Sequence, residues 1–454
     1  MPQATAVNPI APLPGCALRR PGFLWGVATA SYQIEGAVDE DGRLPSIWDT
    51  FSATPGKVLN GDTGAVACDH YHRWADDVDL IADLGVDAYR LSVAWTRVMH
   101  ADGKPNERGI AFYERLLDRL AARGLKAMVT LYHWDLPQHL EDRGGWLNRD
   151  TAYRFADYAA LVARELSGLV EGWMTLNEPW CSAFLGYGNG HHAPGLADPR
   201  YAAQAMHHLL LGHGLALQAI RDNDPGTPAG IVANVGRGTS DSADPADQEA
   251  ARLYELQHND WVLQPLLQGS YPQDLFRLWP GTEPLVLPGD LATISQPLDF
   301  LGINYYFRST VASDGSHGFV DTPRPDVERT QMGWEVYPQG LEDLLRGFKA
   351  RYPKLPPIYI TENGMSSADE VVDGRVADTQ RQRYLNQHFA AVSRAIDAGV
   401  DVRGYYIWSL MDNFEWAFGY ERRFGLVHVD YPTQQRTLKD SALLLQQFLA
   451  QRRG

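Results

Sequence analysis

Three stretches of the chain repeat one pattern of apolar and polar positions: an amphipathic helix, a glycine, a short connection and an apolar strand. From Trp74 to Leu84, the residues Trp74, Val78, Ile81 and Leu84 fall on one helical face, the pattern stops at Gly85, and DAYRLSVAW follows. Ile110 to Arg123 groups Leu116, Leu117 and Leu120, stops at Gly124 and runs into KAMVTLYHW. Thr379 to Ala398 stops at Gly399 and runs into GYYIWSLMD. A glycine just past a helix supplies the left-handed C-cap, and a short return to an apolar strand is the connection used by βαβ units. The pattern therefore predicts a parallel sheet.

Further strand candidates are FLWGVATA (23–30), WMTLNEP (173–179), GIVANV (230–235), DFLGINYY (299–306) and IYITEN (358–363), each followed by a helix-length stretch. Together they make eight, the number that closes a parallel barrel. The alternative is an open doubly wound sheet, but its glycine-rich phosphate turn is missing: the place after the first strand reads ATASYQIEG, without GxGxxG. No composition break or low-complexity linker divides the chain, and the irregular stretches near 186–200, 281–297, 311–333 and 364–377 read as loops at a barrel mouth. The expectation is an α/β fold, a single (β/α)8 TIM barrel over residues 21–454 with long loops at the C-terminal face of the strands. Residues 1–20, interrupted by Pro2, Pro9, Pro12 and Pro14, read as an extended N-terminal arm.

Charge and composition narrow the function. Forty basic against 56 acidic side chains give a net −16, which argues against phosphate-backbone binding and so against a nucleic-acid partner. No run approaches the roughly 20 apolar residues of a membrane-spanning helix. Cys16, Cys68 and Cys181 are too few for a disulfide framework and too scattered for a zinc site; with no secretion leader in the first twenty residues, a reducing, cytoplasmic location fits. The pairs His191-His192 and His207-His208 diverge by about 100° if helical, so neither offers a shared ligand face. No metal and no cofactor are expected. Aromatic residues reach 11%, many beside polar ones, which suits flat platforms in a wet cleft.

In a barrel of this kind, chemistry sits where strands end. Those places hold Gln33 and Glu35, Arg90, His133, Trp134 and Asp135, Asn177 and Glu178, Asn234, Asn304 and Tyr306, Glu362 and Asn363, then Trp408, Asp412, Asn413, Glu415 and Trp416. Amides, carboxylates and indoles converging on one cleft describe a binder of neutral polyhydroxylated molecules. Glu178 and Glu362 stand on the fourth and seventh strands, across the mouth from each other, as the paired carboxylates of glycoside hydrolysis must. Taken singly, each is more often a turn or capping acid, and a lone strand-end His133 more often a satisfied core residue; Asn177 reads equally well as a turn cap, and Arg90 can also serve as a barrel ion pair.

The motifs FLWGVATASYQIEGA (23–37), YRLSVAW (89–95), LYHWDLPQ (131–138), TLNEPW (175–180), LGINYY (301–306), MGWEVYPQGL (332–341), ITENG (360–364) and WSLMDNFEWAFGYERRFGLVHVD (408–430) resemble, in order, those of glycoside hydrolase family 1, the β-glucosidase family. The resemblance implies a retaining, exo-acting β-glucosidase for small β-glucosides or cello-oligosaccharides, with Glu178 as acid/base and Glu362 as nucleophile. A β-galactosidase or β-fucosidase of the same family, a catalytically silent sugar-binding barrel and a metal-dependent barrel hydrolase remain the alternatives. By the same resemblance Gln33, His133, Glu415 and Trp416 hold glycone hydroxyls and Trp408 lies under the ring. Trp134, Asn177, Asn304 and Tyr306 complete the inner shell, with Arg90 supporting Glu362. Trp180, Leu185 and Trp334 fall on the aglycone side. A carboxylate at 415 fits the far hydroxyls of a neutral hexose and repels a 6-phosphate.

Overall fold

The computed structural model describes residues 16–278, 281–316 and 318–453. Eight strands form the barrel: β1 (Leu24–Ala28), β2 (Ala88–Ser92), β3 (Lys126–Tyr132), β4 (Gly172–Asn177), β5 (Ala229–Thr239), β6 (Phe300–Ser313), β7 (Ile358–Asn363) and β8 (Val402–Trp408). All pair in parallel in the order 5-4-3-2-1-8-7-6, and β5 pairs with β6 to close the cylinder. The fold is a (β/α)8 barrel. Its strands are legible as apolar runs because both faces are covered: every residue of β2 and β4 is buried.

The outer helices His70–Asp83, Glu107–Ala122 and Thr379–Asp397 contain the three amphipathic patterns. Gly85, Gly124 and Gly399 follow them with φ of 77°, 73° and 88°, the left-handed conformation a side chain would strain.

Several breaks in the barrel ladder fall near the strand ends that carry polar residues, although β7 also shifts against β8 at its start, between Ile358 and Tyr359. Register shifts fall between Met174 and Asn177 against β5, between Ile303 and Asn304 against β7, and between Ile360 and Asn363 against β8. Such irregularities re-aim side chains that a regular pleat would send elsewhere.

Two expectations change. Most of the proposed arm over 1–20 lies outside the described residues, but its end is not extended: Ala17–Arg19 form a 3-10 turn, Leu18 is fully buried, and the Trp25 indole donates to the Leu18 carbonyl at 3.1 Å. The apolar Leu18 packs on the barrel's outer layer, which sequence spacing alone did not reveal. The segment 281–297, expected at the mouth, instead lies along the outer helix Pro199–Asn223. There Asp290 accepts from Arg149 Nη1 at 2.8 Å and from His207 Nε2 at 2.9 Å. Part of 311–333 is ordered as a hairpin, with Phe319–Asp321 antiparallel to the end of β6. Among the described residues, no helix is long and apolar enough to cross a membrane.

Candidate active site

At the C-terminal ends of the strands lies a cleft of about 1360 Å³. Its lining includes His133, Trp134, Glu178, Trp180, Leu185, Asn304, Tyr306, Trp334, Glu362, Trp408, Glu415 and Trp416; Gln33, Arg90 and Asn177 are fully buried behind it.

The two carboxylates are held differently. Arg90 Nη1 donates to Glu362 Oε1 at 2.5 Å, and the Tyr306 hydroxyl donates to Oε2 at 2.6 Å. Both oxygens of Glu362 thus face a donor. Glu178 has no cation bonded to it among the described residues; Asn304 Nδ2 donates to its Oε1 at 2.7 Å. Burial and then the charge of Glu362 push its pKa up to about 8. One acid stands anchored and charge-paired, and the other is poised to carry a proton. This separation of two neighbouring carboxyls is the arrangement that acid/base chemistry requires.

The amide of Asn177 connects them. Its Oδ1 accepts from Arg90 Nη2 at 2.7 Å and from Asn304 Nδ2 at 3.1 Å, while Thr361 Oγ1 donates to Asn304 Oδ1 at 2.6 Å and fixes that amide. Asn177 Nδ2 must then be the donor to His133 Nε2, at 3.1 Å. Burial and the nearby Arg90 hold the His133 pKa well below its ordinary value, so the ring is neutral with its proton on Nδ1. That Nδ1, together with Gln33 Oε1 and Glu415 Oε2, is buried without a hydrogen-bond partner. Burial, then Glu362 and Glu178, push the Glu415 pKa up to about 8 as well. Unpartnered buried polar atoms are costly unless a ligand supplies the partner.

Indoles form the walls. Trp408 stacks on His133 with ring centroids 5.6 Å apart, and Trp416 packs against Trp134 at 4.5 Å and Trp48 at 4.6 Å. On the opposite side, Trp334 lies 5.4 Å from Tyr306, and Trp180 lies 4.4 Å from His258. Three cleft residues, Trp134, Glu178 and Trp416, hold left-handed backbone with φ of 76°, 47° and 49°, a conformation costing non-glycine residues of order 1–3 kcal/mol each. Gly364 cannot be replaced without movement: a Cβ there would lie 1.7 Å from the Trp408 carbonyl oxygen.

Not every polar strand-end residue reaches the cleft. Glu35 is bonded to Arg97 Nε at 3.0 Å and to the Tyr113 hydroxyl at 2.6 Å. Asn363 donates to the Tyr305 carbonyl at 2.6 Å, and Asp412 faces Arg423 and Lys439. Asp135 accepts from Ser31 Oγ at 3.2 Å, and burial raises its pKa to about 7. These four are bonded into the scaffold and do not line the cleft. His192, read from the sequence as structural, does line it, 5.3 Å from Trp134, and burial lowers its pKa to about 3. Gln257 and His258, on the π-helical stretch Leu256–Asp260, were not anticipated; the polar Asn-Asp surroundings gave no sign that they face inward.

The profile of glycosyl hydrolase family 1 matches residues 18–453. The chain belongs to this family. A bifunctional beta-D-glucosidase/beta-D-fucosidase of Bifidobacterium breve is 47% identical, covering 94% of this chain and 97% of its own. The family β-glucosidase from Exiguobacterium antarcticum B7 superposes with a TM-score of 0.93 at 46% identity, covering 96% of this chain and 98% of its own. A β-glucosidase from Thermotoga maritima, solved in complex with glucoimidazole, has a TM-score of 0.92 at 43% identity, covering 95% and 99%. The family match reaches back to Leu18, the residue whose burial joins the N-terminal turn to the barrel.

Proposed function

We propose that the protein is a retaining, exo-acting β-glucosidase with Glu362 as nucleophile and Glu178 as acid/base. The observation that carries this reading is the unequal environment of the two carboxyls: Glu362 is held by the Arg90 cation and Tyr306, and Glu178 by the neutral Asn304 amide and Cys181 thiol. Glu362 attacks the anomeric carbon while Glu178 protonates the departing oxygen, giving a glycosyl-enzyme with inverted configuration. Forming that ester removes the charge of Glu362, which is one of the causes holding the Glu178 pKa up. The pKa of Glu178 then falls, so its carboxyl, having given up its proton, stays ionised and takes a proton from the attacking water, and the second inversion restores the β-anomer. The family motif assigns Asn177, held here by Arg90, to the hydroxyl next to the anomeric carbon.

The unpartnered Gln33 Oε1, His133 Nδ1 and Glu415 Oε2 support a hydroxyl-rich glycone. Trp180 Nε1 and Asn234 Oδ1, also buried without partners, line the aglycone side as one donor and one acceptor. A second sugar would satisfy both, which favours cello-oligosaccharides over plain aryl aglycones.

A broader glycone range is the second reading, because one relative is named for both glucosidase and fucosidase activity. Comparing kcat/KM for nitrophenyl glucoside, galactoside and fucoside decides between them; a galactoside or fucoside preference above about tenfold, or 1.4 kcal/mol in transition-state binding, would overturn the glucosidase assignment. Trapping with a 2-fluoro glucoside should label the Glu362 peptide, and full activity after chelation should exclude a metal-dependent hydrolase.

The pH dependence follows from Glu178. The first step needs its proton, which the raised pKa retains up to about 8. We expect kcat/KM on cellobiose to fall as pH rises through that value. A basic limb at the ordinary glutamate range, about 4 to 5, would contradict the assignment.

A further inference from the structure

The loop after β8 turns two faces to the molecule. On one it carries Glu415 and Trp416 into the cleft; its Phe414 carbonyl and Asn413 Oδ1 accept from Gln33 Nε2 at 2.8 and 3.1 Å. On the other, Asp412, three residues before Glu415, enters a buried ionic cluster. Lys439 Nζ bridges Asp412 Oδ1 and Asp369 Oδ2, each at 2.6 Å. Asp412 also accepts from Arg423 Nη1 at 2.8 Å and from the Gly425 amide at 2.9 Å. Asp369 accepts from Arg381 Nη2 at 2.7 Å, and Arg381 Nη1 donates to Asp378 Oδ2 at 2.6 Å. The side chains of Lys439 and Asp412 are fully inaccessible.

Three carboxylates face three cations, so the charge balances, yet none of the six side chains takes part in the proposed chemistry. Buried ions stabilise a fold weakly, because desolvation offsets their attraction. What directional bonds between them do provide is one arrangement of the segments they join. Here those segments are the loop after β7, through Asp369, the loop after β8, through Asp412 and Arg423, and the chain leaving the C-terminal hairpin Val427–Asp430 with Gln435–Leu438, through Lys439. Arg381 adds bonds to Ser367 Oγ at 2.9 Å and to the Arg423 carbonyl at 2.8 Å, tying both loops to one helix. The loop that carries Glu415 therefore has its position set from behind.

We propose that Lys439 is a positioning residue for glycone recognition: by bridging Asp369 and Asp412 it fixes the loop that presents Glu415 and Trp416 to the sugar. This rests on the β-glucosidase reading, with Glu415 at the far hydroxyls.

The test uses the full chain with Lys439→Gln and with the charge-balanced pair Asp369→Asn/Lys439→Gln, assayed well below each variant's Tm on nitrophenyl β-D-glucoside and its 6-deoxy analogue. In the double variant KM for the glucoside should rise about tenfold with kcat changed less than about twofold, and the glucoside preference over the 6-deoxy analogue should fall about fivefold. If Lys439→Gln does not fold, the double variant, with no unpaired charge, decides. A lowered Tm with KM and the preference unmoved would mean that the cluster only stabilises, and overturns the proposal. Wild type active on glucosides with an unchanged preference in the double variant overturns this inference alone; wild type inactive on both substrates overturns the β-glucosidase reading and the inference with it.

Discussion

Replacing Glu362 by alanine is expected to lower kcat by roughly five orders of magnitude, because the covalent path disappears and nothing nearby can take its place. Arg90 would keep its bond to Asn177 but lose its charge partner, so a loss of stability of about 3 kcal/mol should accompany the change. The Tyr306 hydroxyl would likewise lose its acceptor. The decisive measurement is the product formed with added azide. Azide entering from the side vacated by the carboxylate displaces the leaving group once, so nuclear magnetic resonance should show the α-glycosyl azide. Residual turnover above about one per cent of wild type would place the nucleophile elsewhere.

The second large effect is on Glu178. Its replacement by alanine should cost about 10² to 10⁴ in kcat/KM for substrates with poor leaving groups, the range of a general acid. Dinitrophenyl glucoside, whose leaving group needs no proton, should lose far less in this first step. Its turnover should then stall at the glycosyl-enzyme, and azide should relieve the stall as the β-glycosyl azide. Equal losses on both kinds of substrate would contradict the acid assignment. Asn304 Nδ2 would be left facing the cavity where the carboxyl stood, which gives azide a hydrogen-bond donor.

The barrel was legible because its strands are covered on both faces and its helices end on glycines, which are local signals. What the chain does beyond a strand end is not local. Glu362 and Asn363 are adjacent polar residues at the end of β7, yet alternation sends the first to the cleft and the second to the Tyr305 carbonyl. Strand-end position alone groups them together, and only the paired-carboxylate argument and the family motif single out Glu362. Glu35 and Asp412 failed in the same way: each faces cations away from the cleft, Arg97 from a distant segment for the first, and Arg423 of the same loop with Lys439 from beyond the C-terminal hairpin for the second. His192 failed in the opposite sense. The divergence expected of adjacent helical residues does not apply, because the segment beyond Gly188 is not helical; His191 and His192 both line the cleft, and the His192 ring packs against Trp48 at 5.4 Å. The misplacement of 281–297 has a similar origin, since Asp290 is drawn outward by Arg149 and His207 rather than by any property of its own neighbours.

The breaks in strand register have a consequence for how this molecule tolerates change. From Leu301 to Ile303, β6 follows an uninterrupted ladder with β7, and the shift begins only at Asn304. Along this seam β6 thus divides into a lower part that answers to packing and an upper part that answers to the ligand. Substitutions in the lower part are felt as volume, and those in the upper part as geometry. A lineage can therefore redraw its specificity at the rim without renegotiating the closure of the cylinder beneath it.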